Sequence, residues 1–287
     1  MLAALRVGGG RPTATDAERL IESGPPSVSR MILRRVGQLD PPEVALAEAV
    51  AVLGTDARPE IAAAVAGLEE REAEGAARGL AEAELLSAGG RLDLVHPLIR
   101  SAIRTSLAPV RRAAMQADAA RRLADEGMIE AAAEHLLDLA PASQTWVAEV
   151  LAEAADAAVS RGAPEVALTL WQRALQEPPA PAREAALLLA TGAVESELGR
   201  PGAVEHLRQA LDVAADPGAR AGAARELAEA LLRAGDTKGM ADVLDQVAAE
   251  VAPVDRHLAE ELEAQLLLFG PWDLALAPDL KIGRAHV

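Results

Sequence analysis

A chain of 287 residues with 51% hydrophobic side chains can fill a sizeable core, so wholesale disorder is excluded. Aromatics make up only 1%, with one Phe, three Trp and no Tyr, so the core must be Ala, Leu and Val, whose compact side chains suit closely stacked helices better than a broad sheet. A formal charge of −16 repels a phosphate backbone and argues against direct nucleic-acid binding, while the absence of Cys removes disulfides, thiolate metal sites and a cysteine nucleophile.

The first segment, residues 1–29, opens MLAALRVGGGRP without the apolar run and cleavage site of a signal peptide. No window of the chain reaches the roughly 20 apolar residues of a membrane span, so a cytoplasmic location is expected. Gly8-Gly9-Gly10-Arg11-Pro12-Thr13 is glycine-rich but lacks the Lys that a phosphate-binding P-loop needs, and Lys238-Gly239 runs in the wrong order. The chain therefore reads as non-enzymatic, with no cofactor of its own.

Residues 30–110 predict helices over RMILRRVGQL, DPPEVALAEAVAVLG, EIAAAVAGL and EAEGAARGLAEAELL. Asp40 stands as N-cap, Pro41 in the first turn and Gly54 at the end of the second of these. Gly89-Gly90 then predict a turn into the alternating run RLDLVH, a minor β-wing. Helices followed by a small wing describe a winged-helix-like domain.

Residues 111–280 repeat. The turn glycines Gly127, Gly162, Gly199 and Gly235 lie 35, 37 and 36 residues apart, each between two apolar-periodic stretches. Pro178, Pro217 and Pro253 close the units, and Ala174, Ala210 and Ala248 supply a small residue in each second helix where the paired helix crosses. One such hairpin cannot bury its apolar face alone, so the units must stack in series. The pattern resembles tetratricopeptide repeats, and the expected fold is all-α with a minor β-wing, a winged-helix domain followed by a tetratricopeptide-like α-solenoid. The last seven residues, 281–287, depart from the composition before them and read as a translated sequencing adapter.

The ordered motifs carry a wider resemblance. LDLVHPLIRSAI, with GQLDPPEVALAEAVAVLG before it and AARRLADEG, AAAEHLLDLAP and GAPEVALTLWQRALQEPP after it, resembles the MalT-related LuxR-type ATPase transcription regulators of bacteria, over about residues 1–250. These AAA-related proteins belong to the signal-transduction ATPases with numerous domains (STAND). The resemblance implies an internal fragment: residues 1–29 would be the remnant of an ATPase helical lid and its linker, with the ATPase core upstream and a DNA-binding helix-turn-helix downstream. The implied function is the regulatory and sensor portion, which couples nucleotide state to an unknown inducer or protein partner on the repeats. ATP or ADP would belong to the parent protein. A free-standing helical-repeat adaptor is the alternative.

His96 is the foremost candidate site residue. LVHPLIRSAI resembles the segment whose His contacts the β-phosphate of bound ADP in related switches, although Val95 and Pro97 replace that pattern's Met and Asp. A core or capping role is the other reading of His96. Arg100, one helical turn on, is a weaker candidate for the same nucleotide. Arg104, Arg111, Arg112, Arg121 and Arg122 extend a basic run that reads as a solvated face paired with acids or as a contact with the ATPase core. His135, His206 and His257 show no metal-ligand spacing, and Glu69-Glu70 and Glu260-Glu261 lack a cleft or nucleophile. Trp146, Trp171 and Trp272 read as inter-repeat packing or as the lining of a ligand groove.

Overall fold

Proline and glycine placement sets most helix boundaries in this protein. The computed structural model describes residues 26–87 and 91–269, which contain 14 α-helices and no strand. Most of segment 1–29, including residues 8–13, lies outside them, as do the Gly89-Gly90 turn, Trp272 and residues 281–287. None of the described helices is long and apolar enough to cross a membrane. The chain divides into two compact units between Ala140 and Pro141.

The first unit contains α1 (Pro26–Val36), α2 (Pro41–Leu53), α3 (Pro59–Ala66), α4 (Glu70–Glu82), α5 (Pro97–Ser106), α6 (Pro109–Asp125) and α7 (Ile129–Leu137). Helix α2 starts as its residues dictate: the Asp40 N–H donates to Glu43 Oε2 at 3.0 Å, and Pro41 holds the first turn. It ends at Gly54, whose φ of 65° is one that a residue without Cβ adopts freely. Every residue from Leu46 to Leu53 except Glu48 is buried, and α3, α4, α5 and α6 all pack against this helix. A helix apolar on all sides must be enclosed in this way. The hairpin of α6 and α7 packs through α6 on α2 and α3, so the earliest repeat-like segment is part of the first unit.

The expected wing reduces, among the described residues, to one antiparallel bridge between the buried Leu86 and Leu94. Ser87 N–H donates to Asp93 O at 2.8 Å and Val95 N–H to Leu85 O at 3.0 Å. Leu92 N–H turns away and donates to Ala57 O at 3.2 Å, which removes it from any longer ladder.

The second unit runs α8 (Thr145–Ser160), α9 (Pro164–Ala174), α10 (Pro181–Glu197), α11 (Ala203–Val213), α12 (Pro217–Arg233), α13 (Thr237–Val251) and α14 (Arg256–Phe269). Successive helices pack pairwise, α8 on α9, α10 on α11 and α12 on α13, with α14 against α13. All four turn glycines are left-handed, with φ of 72°, 75°, 62° and 81° for Gly127, Gly162, Gly199 and Gly235. The small residues Ala174, Ala210 and Ala248 are buried, and Leu207, Leu227, Met240, Leu244 and Leu262 fill the space between hairpins. Pro178 and Pro253 follow the ends of α9 and α13, as the sequence suggests, and Pro217 acts differently. Helix α11 has already ended at Val213, and Pro217 instead opens α12, because its fixed φ and missing N–H suit the first helical turn. The architecture is all-helical and repeat-like.

Candidate functional site

His96 sits at the junction between the Leu86–Leu94 bridge and α5. Its backbone is extended, and Leu98 N–H donates to its Nδ1 at 3.1 Å, so the side chain caps the helix. As an acceptor Nδ1 carries no hydrogen, which puts the ring N–H on Nε2, and the residue is exposed. The capping half of the sequence reading is thus present in the structure. Arg100 follows one turn into α5 and lies 3.9 Å from Asp93, its guanidinium close over Gly54. Arg100 Nε is buried and has no hydrogen-bond partner among the described residues.

The rest of the basic run is largely tied to acids within the first unit. Arg104 reaches Asp138 at 3.7 Å, and Arg111 grips Glu48 with Nε at 3.0 Å and Nη2 at 2.5 Å. Arg122 pairs with Asp118 one turn back at 2.8 Å, and Arg112 donates to the Arg104 carbonyl at 3.5 Å. His135 on α7 is half-buried close to Asp56, Arg104 and Asp138. Burial is the largest influence and pushes its pKa below the usual histidine value. Asp56 and Asp138 act against that shift and Arg104 adds to it.

Two buried carboxylates organise the second unit, and neither was evident in the sequence. Glu177, just past α9, accepts from Ala142 N–H at 3.1 Å, Gln144 N–H at 3.0 Å and Arg173 Nη1 at 2.9 Å. Its burial opposes charge. The two backbone donors and the guanidinium outweigh that opposition and hold the carboxyl below the usual glutamate range. Glu195 on α10 is likewise buried, receives Gln172 Nε2 from α9 at 2.9 Å and lies 2.7 Å from His206 Nδ1 on α11. Three helices from two hairpins meet at that carboxylate. No local motif announces either residue, because apart from Arg173, four residues before Glu177, their partners come from other elements.

Trp171 is buried at 4% exposure between hairpins, and Trp146 donates from Nε1 to Gln144 Oε1. His257 is exposed 3.4 Å from Glu261, which also lies 3.6 Å from Arg225. Among the described residues no three His, Asp or Glu side chains converge as metal ligands. Compared with protein-family models, curated proteins and solved structures, the chain matches none.

Proposed function

We propose that this chain is the regulatory and sensor portion of a bacterial ATP-dependent LuxR-type transcription regulator, in which the first unit carries a winged-helix-like element and the second a tetratricopeptide-like binding arm. The observation that favours this reading is the placement of His96. An exposed imidazole with its N–H on Nε2 stands at the head of α5, directly after the bridged segment, with Arg100 one turn behind it. That arrangement can donate to an anionic phosphate oxygen supplied by an ATPase core. ATP or ADP would then be bound by the parent protein, with the chain's helical repeats taking the inducer or partner.

Coupling of this kind needs a contact that differs in free energy between nucleotide states. His96 would supply one such contact. In the full-length parent, His96→Ala should lower the ADP that co-purifies with the protein, measured by chromatography of the heat-released nucleotide; unchanged content would refute the role. The DNA upstream of Met1 provides the second test, where an in-frame P-loop is expected. A free-standing helical-repeat adaptor is the competing reading. It is favoured by the capping bond at His96 Nδ1, which accounts for that residue without any nucleotide.

A further inference from the structure

The hairpins of the second unit are not evenly spaced. Helix α10 packs on α12 and α12 on α14, whereas α8 and α10 meet far less closely. The connection explains the difference: six residues, 175–180, join α9 to α10 and include Pro178 and Pro179, while three join α11 to α12 and four join α13 to α14. The gap is walled by Ala148 and Ala152 from α8 and by Ala186 and Ala190 from α10, and floored by Trp171 and Leu187. Single methyl groups on facing helices cannot close it, so a cavity of about 60 Å³ persists. That is well below the roughly 300–1,000 Å³ of small-molecule sites and suits one inserted side chain.

The charge around the cavity selects what can carry that side chain. Glu149 and Asp156 stand at its mouth against a single cation, Arg183, and the Asp156–Arg183 contact is long at 3.9 Å and exposed on both sides. Such a pair is readily exchanged for another partner. Glu197 continues the same α10 stripe two turns beyond Ala190, next to Glu226 and Glu229 on α12. Burial, followed by Glu229, pushes the Glu226 carboxyl above the usual range; Arg233 and Arg225 act against that shift and Glu197 adds to it.

We infer that the α8–α10 cleft is a docking site for a basic segment of a partner protein, which inserts one apolar side chain over Trp171 and lays its cations on Glu149 and Asp156 at the mouth of the cleft. The inference rests on the reading of the second unit as a binding arm and names the chemistry of its partner.

The test uses the full 287-residue chain and three synthetic peptides, titrated by calorimetry and by tryptophan fluorescence. The first is acetyl-Lys-Lys-Leu-Lys-Lys-amide, the second replaces Leu by Ala, and the third replaces every Lys by Glu. The Leu peptide should bind about fiftyfold more tightly than the Ala peptide if all three of its extra carbons are buried. Binding should weaken with salt and be absent for the Glu peptide. Glu149→Lys combined with Asp156→Lys, both exposed positions, should weaken the Leu peptide about tenfold with the helical circular dichroism unchanged. Ala152→Leu should remove the preference for Leu by filling the cavity, and if that variant fails to fold the charge variant decides alone. No binding of the first peptide, equal binding of the Leu and Ala peptides, binding of the Glu peptide, or an unaffected charge variant would each overturn the proposal. Nucleotide plays no part in this assay, so its failure is separable from the upstream P-loop and His96 tests.

Discussion

A carboxylate almost without access to water stays charged at Glu177 because two backbone N–H groups and Arg173 converge on it. Removing such a group takes the acceptor from two amide donors and one ion-pair partner from a buried guanidinium. Glu177→Ala should therefore cost about 3–5 kcal/mol in urea unfolding of the second unit. The pH dependence has a definite sign. A carboxyl held below its unfolded value, about 4.3, stabilises the fold fully above that pH and progressively less as pH falls toward its folded pKa. His135 behaves in the same direction at higher pH. Its folded pKa is depressed, so the first unit is fully supported above about 6.5 and weakens as acidification charges the ring in the unfolded chain first. A His135→Gln variant should flatten the thermal-stability profile between pH 7 and 5. His135 and His206, each directly before a Leu in the second helix of its hairpin, could be recognised from the sequence alone. Glu177 could not, since its backbone partners lie 33 and 35 residues away.

At the scale of helices, the limits of α2 and the glycine turns were legible because each is dictated locally: an N-cap and proline at one end of α2, and a glycine of positive φ at its other end and at each turn. Burial of the crossing alanines follows from the same periodicity. Ala174 is fully enclosed where α9 ends, so Ala174→Leu should overpack the crossing and cost about 1–3 kcal/mol, seen as a lowered thermal midpoint. The bridge at Leu86–Leu94 was less legible. Alternation announces a strand-like run, but pairing depends on where each N–H finds an acceptor, and Leu92 finds Ala57 in another part of the unit. Pro217 was misplaced for a related reason. A proline between two helices can follow one or begin the next, and its effect depends on where the preceding helix has already ended.

For the molecule as a whole, composition indicated the all-helical architecture, whereas the division at Ala140/Pro141 depends on tertiary packing. Repetition groups α6 and α7 with the later hairpins, yet α6 packs on α2 and α3 and α7 packs on α6 within the first unit. A fragment of residues 141–269 should accordingly melt cooperatively by circular dichroism, and extending it back to residue 111 should add helix without raising the midpoint. Beginning it at residue 145 should lower the midpoint, because the Glu177 clamp on Ala142 is lost. The enclosure of α2 has a further consequence for any signal passing through the first unit. A rod gripped on every flank cannot slide or rotate without opening voids beside its neighbours. Movement must therefore be carried by the outer pieces swinging about a fixed axle, and surface positions on α1, α5 and α7 are where an engineered latch would arrest it.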